Sequence, residues 1–271
     1  MLILLLLFTG FLTSLLSALL GVGGGVLIIP IFYILFPNIN ASTVISTSLL
    51  IIFVNSLLNT FKFIKINSSV LSFRLMMTLS FGMSLGILLG GKTTSWLPDE
   101  ILKSILSLAL FLVALKTFFE NKDLPNEFKK LFLSRTKLLV TFFISFSGGV
   151  ISGMTGLGGG SILIPLLISL YKIPFKKLPA YTNPAMSLAS LVGVIFFILN
   201  APQKTQPLFI EGNYTWGPVH LTLGFLVILG AQLGRNLSFK LQKRLPRKVV
   251  RNLFIVVLLF FSLQIFLELL A

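Results

Sequence analysis

Long apolar runs alternate along the chain with short polar and cationic breaks, and the runs fall into two series of five. The first series is Leu2 to Leu20, Gly25 to Phe36, Ser42 to Phe61, Leu71 to Gly90 and Ile101 to Phe119. The second is Leu138 to Thr155, Gly160 to Leu170, Ala180 to Leu199, Trp216 to Leu233 and Val249 to Leu270. A helix needs about 20 residues to cross a hydrocarbon core of about 30 Å, and four runs in each series approach or reach that length. The second run of each series does not, since its helix would be about 18 Å long at most. The pattern predicts an all-α integral membrane protein with about eight long transmembrane helices and two short broken ones.

The two series also repeat in their letters. GVGGGVLIIP, Gly21 to Pro30, returns as GLGGGSILIP, Gly156 to Pro165, with six of ten positions identical at an offset of 135. Further on, Gly82, Gly86 and Pro98 correspond to Gly230, Gly234 and Pro246 at an offset of 148, and a Pro-rich loop around Pro202 to Trp216 accounts for the difference. The chain therefore reads as a first repeat over 1–119, a linker over 120–137 and a second repeat over 138–271. If the short run also carries the chain across, each repeat makes five passes, and an odd number inverts the second repeat relative to the first. Inverted repeats with broken segments in matching positions mark secondary transporters, with the binding site near the midplane.

Cations set the orientation. Under this scheme four loops share one side: Lys62 to Arg74, Lys122 to Lys137, Lys172 to Lys177 and Arg235 to Arg251, which together hold 18 of the 22 Lys and Arg residues. By the positive-inside rule that side is cytoplasmic, which makes 120–137 a cytoplasmic linker and leaves both termini outside. The N-terminal run lacks a cationic flank and exceeds the apolar core of a signal peptide, so a retained helix is expected.

Composition narrows the class. The chain has 271 residues, 55% of them hydrophobic and 11% charged, with mean hydropathy +1.00, more apolar surface than one core buries; lipid is the expected partner for the rest. The net charge of +15 does not imply nucleic acid, because the cations sit in short loops rather than on one basic face. No cysteine is present, which excludes disulfides, thiolate metal sites and thiol nucleophiles. Neither a cofactor nor a metal is expected.

The paired Gly-rich turns, each followed by a short apolar run and a proline, the Thr47-Ser48 or Thr182-Asn183 start of the next helix, and the Gly-x-x-x-Gly plus Leu-Pro pattern resemble the TauE/SafE family of sulfite and organosulfonate exporters. The resemblance covers nearly the whole chain. It implies transport of small sulfur-containing anions such as sulfite or sulfoacetate across the cell membrane, by alternating access and outward. Asn183-Pro184 in place of Ser48-Leu49 is a departure between the halves and suggests that they contribute unequally.

Elimination locates the candidate site. No Lys or Arg lies at the centre of an apolar run, and the seven acids fall in loops or, as Glu268, in the last turn, so a carboxylate relay at the midplane is not expected. Backbone N–H groups and neutral side chains remain. Each Gly-rich turn opens a short helix whose first N–H groups lack intrahelical partners and carry the positive end of the macrodipole. Two such starts arriving from opposite faces would hold a small anion without a buried counter-charge. The candidates are Gly23, Gly24, Gly25, Gly158, Gly159, Gly160 and Ser161 in the turns, with Thr47, Ser48, Thr182 and Asn183 on the following helices. Pro184 is expected to turn Asn183 out of the helix, leaving its amide free to donate.

Each feature also has a structural reading. Glycines permit close helix packing, which is the expectation for Gly82, Gly86, Gly90, Gly230 and Gly234. Pro30 and Pro165 either open a coordination point or fit a neighbour. The hydroxyls of Thr47 and Thr182 either touch ligand or bond carbonyls. Lone His220 is expected to pack or sit at an interface. Two other functions compete: a passive anion channel, and an intramembrane serine hydrolase built on Ser161. The latter lacks a Gly-x-Ser-Gly element, since Ile162 follows the serine, and Val26 replaces it in the first repeat. No catalysis is expected, whereas a homo-oligomer is compatible with the sequence.

Single cysteines placed at Asn126, Thr205 and Gln242 can be labelled without background. An impermeant reagent should reach Thr205 from one side and the other two from the opposite side; labelling of all three from one side would overturn the orientation.

Overall fold

The structure is a computed structural model that describes residues 1–20, 24–67, 72–94, 96–119, 134–173, 177–200, 214–244 and 247–270. Among these, the helices in chain order are α1 (Leu2–Leu20), α2 (Gly25–Leu35), α3 (Ala41–Asn67), α4 (Phe73–Thr94), α5 (Asp99–Phe119), α6 (Arg135–Thr155), α7 (Gly160–Tyr171), α8 (Pro179–Asn200), α9 (Leu221–Arg244) and α10 (Arg247–Leu270). A two-residue antiparallel pair, β1 (Thr215–Trp216) with β2 (Val219–His220), precedes α9. The linker at 120–133 and the loop at 201–213 lie outside the described residues.

Three boundaries differ from expectation, the start of α9 because β1 and β2 occupy 215–220, the ends of α3 and α9 for a common reason. α3 runs on past Phe61 to Asn67, and α9 begins at Leu221, not Trp216, and continues to Arg244. An apolar-run criterion stops at the first cation, but the backbone keeps its i→i−4 bonds beyond the hydrocarbon. Lys62 and Arg235 are therefore helical residues, not loop residues as the charge pattern suggested.

By length and composition, α3 over Ala41–Lys62, α4, α5, α6 and α8 can each cross a membrane. The stretches Leu2–Leu15 of α1, Leu221–Arg235 of α9 and Ile255–Leu267 of α10 are apolar but shorter among the described residues, so five long spans stand where eight were expected. Large apolar side chains such as Phe81, Phe118, Leu199, Phe225 and Phe260 project outward, a surface suited to hydrocarbon.

Glycine sets the spacing of two helix pairs. A Cβ built on Gly82 of α4 would lie 2.8 Å from Phe142 O of α6, and one on Gly86 would strike Phe146 O. The same contact recurs between α9 and α1, where a Cβ on Gly230 would strike Leu7 O and one on Gly234 would lie 2.6 Å from Phe11 O. These are equivalent residues at the offsets of 148 and 135, so the expected packing role of Gly82, Gly86, Gly230 and Gly234 is met twice over. Small residues permit such approach, and dispersion and Cα–H···O contacts then hold the pair.

The same contacts give directions. Successive turns of α4 meet successive turns of α6 in the same order, and Ile87 and Gly91 of α4 meet Gly193 and Phe196 of α8 in order as well. α4, α6 and α8 thus run parallel, which requires α7 to carry the chain back between α6 and α8. It does so: Tyr171 Oη at its end hydrogen-bonds Thr141 Oγ1 (2.7 Å) and donates to Lys137 O (3.3 Å) in the first turns of α6. Ser134 starts α6 by accepting from Lys137 N through its side chain (3.3 Å). On the other side, α1 runs parallel to α9, and Asp99 Oδ2 accepts from Ala41 N (3.3 Å), bringing the starts of α5 and α3 to one end.

Side chains at Gly86 or Gly234 must displace main chain, so Gly86→Val and Gly234→Val should each cost about 1–3 kcal/mol or more of stability. Gly224→Ala, whose Cβ would meet only the movable Leu50 side chain at 3.2 Å, should be tolerated. Thermal unfolding of the purified variants in detergent compares them; equal midpoints would remove glycine packing as the determinant of these pairs.

Candidate functional site

Each short helix begins at a glycine in the left-handed region: Gly24 (φ 82°) caps α2 and Gly159 (φ 64°) caps α7. That conformation costs a residue with a Cβ about 1–2 kcal/mol, a local reason for glycine at both places. Gly24 O accepts from Leu27 N (3.1 Å) and Ile28 N (3.4 Å), and Gly159 O accepts from Leu163 N (3.1 Å). Gly160 N bonds Gly158 O (2.8 Å), closing the turn tightly ahead of α7. The N–H groups of Gly25, Val26, Ser161 and Ile162 thus precede the first bonds of their helices, at the positive end of the aligned peptide dipoles.

The two turns meet. A Cβ on Gly25 would lie 2.8 Å from Gly156 O and 2.9 Å from Leu157 O, so only hydrogen separates the start of α2 from the backbone leading to α7. α3 seats both along one face. Ile45 lies against Gly156, Ser48 Oγ donates to Gly156 O (2.9 Å), and Ile52 fills the space beside Gly25 and Gly158, where a built Cβ would lie 2.5 and 2.8 Å from its Cδ1. A Cβ built on Gly159 would lie 2.7 Å from Met83 Cε of α4. Gly156 also ends α6, its N–H bonding Ser152 O (2.7 Å).

Of the sequence-predicted residues, the structure brings Gly25, Ser48, Gly158, Gly159 and Gly160 to this junction, and Gly24 to its edge. Gly23 lies outside the described residues, as does the side chain of Ser161, whose backbone is the second residue of α7. Thr47 is turned elsewhere: its Oγ1 accepts from His220 N (2.9 Å), joining α3 to the start of α9. Thr182 Oγ1 donates to the carbonyl O of Leu178 (3.2 Å), the residue that precedes α8.

Asn183 departs from expectation. α8 runs from Pro179 straight through Pro184, so the proline does not turn Asn183 out, and the amide Nδ2 donates to Pro179 O (2.8 Å). Pro184 lies in the second turn of α8, where it removes the i→i−4 bond to Ala180 O without ending the helix. Asn183 Oδ1 is left buried without a partner, as are Ser190 Oγ on α8 and Ser152 Oγ on α6. Buried groups of this kind are normally satisfied, by water or ligand where protein does not serve.

Sequence reasoning missed four residues. Ile52 and Met83 support the glycines and are indistinguishable by pattern from other core positions. Ser152 was hidden in the small-residue stretch before the second turn. His220, expected to pack, also caps α9: its Nδ1 accepts from Leu223 N (3.2 Å), which requires Nδ1 unprotonated, and the residue is 1% exposed.

Apolar spans around two broken helices whose starts meet in the interior define a polytopic helical membrane protein. The chain belongs to the sulfite exporter TauE/SafE family, whose profile matches residues 6–265, and it is a membrane transporter of that family. It is 30% identical over 261 residues to a probable membrane transporter protein of Haemophilus influenzae, covering 94% of this chain and 92% of that one. Probable membrane transporter proteins of Methanocaldococcus jannaschii (25% over 264 residues, 96% and 95% covered) and Bacillus subtilis (21% over 278 residues, 96% and 95% covered) are also similar. No solved structure gives a significant match.

Ser48→Ala removes the one side-chain bond from α3 to the turn and leaves Gly156 O short of a donor, so it should lower stability by about 1 kcal/mol. Thr60→Ala, which loses a back-bond to Ser56 O (2.7 Å) within α3, should change stability less. Denaturant titration in mixed micelles checks the order; a larger loss for Thr60→Ala would refute the Ser48 bond as a support of the junction.

Proposed function

We propose that this transporter carries small sulfur-containing anions, sulfite or a short organosulfonate such as sulfoacetate, outward across the cell membrane by alternating access. The observation that carries the proposal is the meeting of two Gly-capped helix starts in the interior, seated on α3 by Ser48 and Ile52. Backbone N–H groups at such starts offer several fixed donors to an oxyanion, and no buried counter-charge has to be desolvated. The sulfur chemistry and the direction rest on the family resemblance.

Alternating access draws support from helix directions. α4, α6 and α8 run one way, α1 runs with α9, and the contacts of α9 with α1 repeat those of α4 with α6. These directions are those expected of two five-element repeats inserted upside down, over 1–119 and 138–271, with α1, α9 and α10 spanning as well. In that arrangement rocking of one repeat against the other exposes a midplane site to each side in turn. Both termini then face outside, and the cation-rich ends of α3 and α9 face the cytoplasm. The hydrolase reading draws no support from His220, which is tied to the start of α9 by its Nδ1 and to Thr47 of α3 by its N–H. Lipid covers the apolar surface, and association of copies within the membrane is compatible with this scheme.

In proteoliposomes, sulfite flux should saturate and be competed by other small sulfur oxyanions. Gly24→Val and Gly159→Val should abolish it while leaving inserted, monodisperse protein. Unsaturable flux would favour a passive channel, and unchanged anion affinity in both variants would move the site away from the turns.

A further inference from the structure

The hairpin of β1 and β2 closes the end of the bundle at which α3 and α9 begin and α8 ends. Tyr214 O accepts from Leu221 N (2.9 Å) and Tyr214 N donates to Thr222 Oγ1 (3.2 Å), which folds the hairpin onto the first turn of α9. At the tip, a Cβ built on Gly217 would lie 3.4 Å from Ile198 O, near the end of α8. At the last residue, His220 N donates to Thr47 Oγ1 (2.9 Å) on α3, and about one turn along α9 a Cβ built on Gly224 would lie 3.2 Å from Leu50 Cδ2.

His220 holds this closure in one protonation state only. It is 1% exposed, and its Nδ1 accepts from Leu223 N (3.2 Å), the N-cap bond of α9. A neutral ring that accepts at Nδ1 carries its proton at Nε2, and Nε2 is buried without a hydrogen-bond partner. A second proton has to go to Nδ1, where it breaks the cap and sets N–H against N–H. The cation would also face the positive end of the α9 dipole. Among the described residues, the charges of the packed elements lie far off: the cations of α3 and α9 begin at Lys62 and Arg235, each 15 residues on and about 22 Å along its helix. On α8 the titratable group is Tyr181, 17 residues before Ile198, and Tyr214 ahead of β1 is 75% exposed. Lys92, at the end of α4, lies over the Trp96 ring at 5.6 Å, and Asp99 bonds Ala41 N (3.3 Å), six residues before Thr47. At the offset of 148 the equivalent of His220 is Ser72, whose Oγ accepts from Leu75 N (3.4 Å) in the same way to start α4. A serine therefore suffices as the cap, and what histidine adds is titration.

We propose that His220 is a proton-binding site that works as a latch: the neutral imidazole keeps the hairpin against α3 and α9, and uptake of a proton at Nδ1 releases it and opens this end of the transporter. The proton passes from water to the Nδ1 lone pair, leaves an imidazolium that water solvates once the hairpin has lifted, and returns on neutralisation. Because the closed form binds fewer protons than the open form, closure is fully favoured above the ordinary imidazole value of about 6.5 and loses ground as pH falls below it. In the orientation proposed above this end faces outside, so the latch responds to external pH. It goes beyond the anion-transporter reading and does not depend on which anion is carried.

Val219, 1% exposed beside His220, is reached only when the hairpin lifts, and the chain has no cysteine of its own. Labelling of Val219→Cys by a small thiol reagent, on the purified full chain without a histidine tag, reads the latch. Dividing its rate by that of the same variant carrying His220→Asn cancels the titration of the thiol itself. The ratio should be near one at about pH 8 and rise about tenfold by about pH 5.5, one pH unit below the ordinary value. Asn and Ser cap helices and take no proton, so His220→Asn and His220→Ser should match the wild-type thermal midpoint near pH 8. The chain has one histidine, so NMR of histidine-labelled protein follows a single imidazole, which should titrate together with the labelling ratio. A ratio that stays flat with pH, or an imidazole that stays neutral down to about pH 5, would overturn the proposal and leave His220 a cap without a switch. Neither readout needs a substrate, so failure here is separate from failure of the anion-transporter reading.

Discussion

A backbone inside hydrocarbon has no water to satisfy its N–H and C=O groups, and each one left unpaired costs several kcal/mol. Most of this chain meets the constraint by being helical, and where it is not, the irregular backbone is enclosed by protein. At Gly156 to Gly159 the exposed carbonyls and amides are taken up by Ser48 Oγ, by Gly160 N and by the cap bond to Ser152 O. The break is tolerated because α3, α4 and α6 surround it. The same enclosure shields the helix starts of α2 and α7 from lipid.

Enclosure of this kind demands that long helices come very close, which depends on glycine in a different way. Gly82 and Gly86 on α4, and Gly230 and Gly234 on α9, let whole helices lie against α6 and α1 with backbone atoms nearly in contact. The glycines of the turns serve conformation, the glycines of the spans serve approach, and both uses occur in each half. Reciprocal bonds between Ser107 and Ser262 (Oγ to O, 2.9 Å each way) join α5 to α10 in a similarly matched manner. Most described hydroxyls of the spans instead bond back to a carbonyl three or four residues earlier in their own helix, as Thr9, Thr60, Ser80 and Thr155 do, so few of them join helices.

Polarity that remains is unevenly divided between the halves. The second half presents Asn183 with a buried, unpartnered oxygen where the first presents Ser48 with its proton committed. The first half ends α3 with Asn59 and Lys62 where α8 has Val194 and Phe197. A transporter whose two ends must be told apart by its substrate, and by the membrane insertion machinery, needs such inequality; matched backbones with unmatched side chains supply it.

The element series, the two short helices and the pairing of glycines were legible in the sequence, because apolar run length, helix breakers and residue identity at a fixed offset are local properties of a chain that must sit in lipid. α2 begins at Gly25 and α7 at Gly160, as the letters implied. The family, too, could be read from those motifs. What tertiary structure decided is where each polar side chain spends its hydrogen bond. Ser48 and Thr47 are neighbours in sequence, yet one reaches the Gly156 carbonyl and the other the start of α9, because successive residues on a helix point about 100° apart toward different neighbours. Asn183 keeps its helical place despite Pro184, and His220 reaches Thr47 across 173 residues of chain. Such facts depend on packing between segments distant in the chain, and no local pattern encodes them.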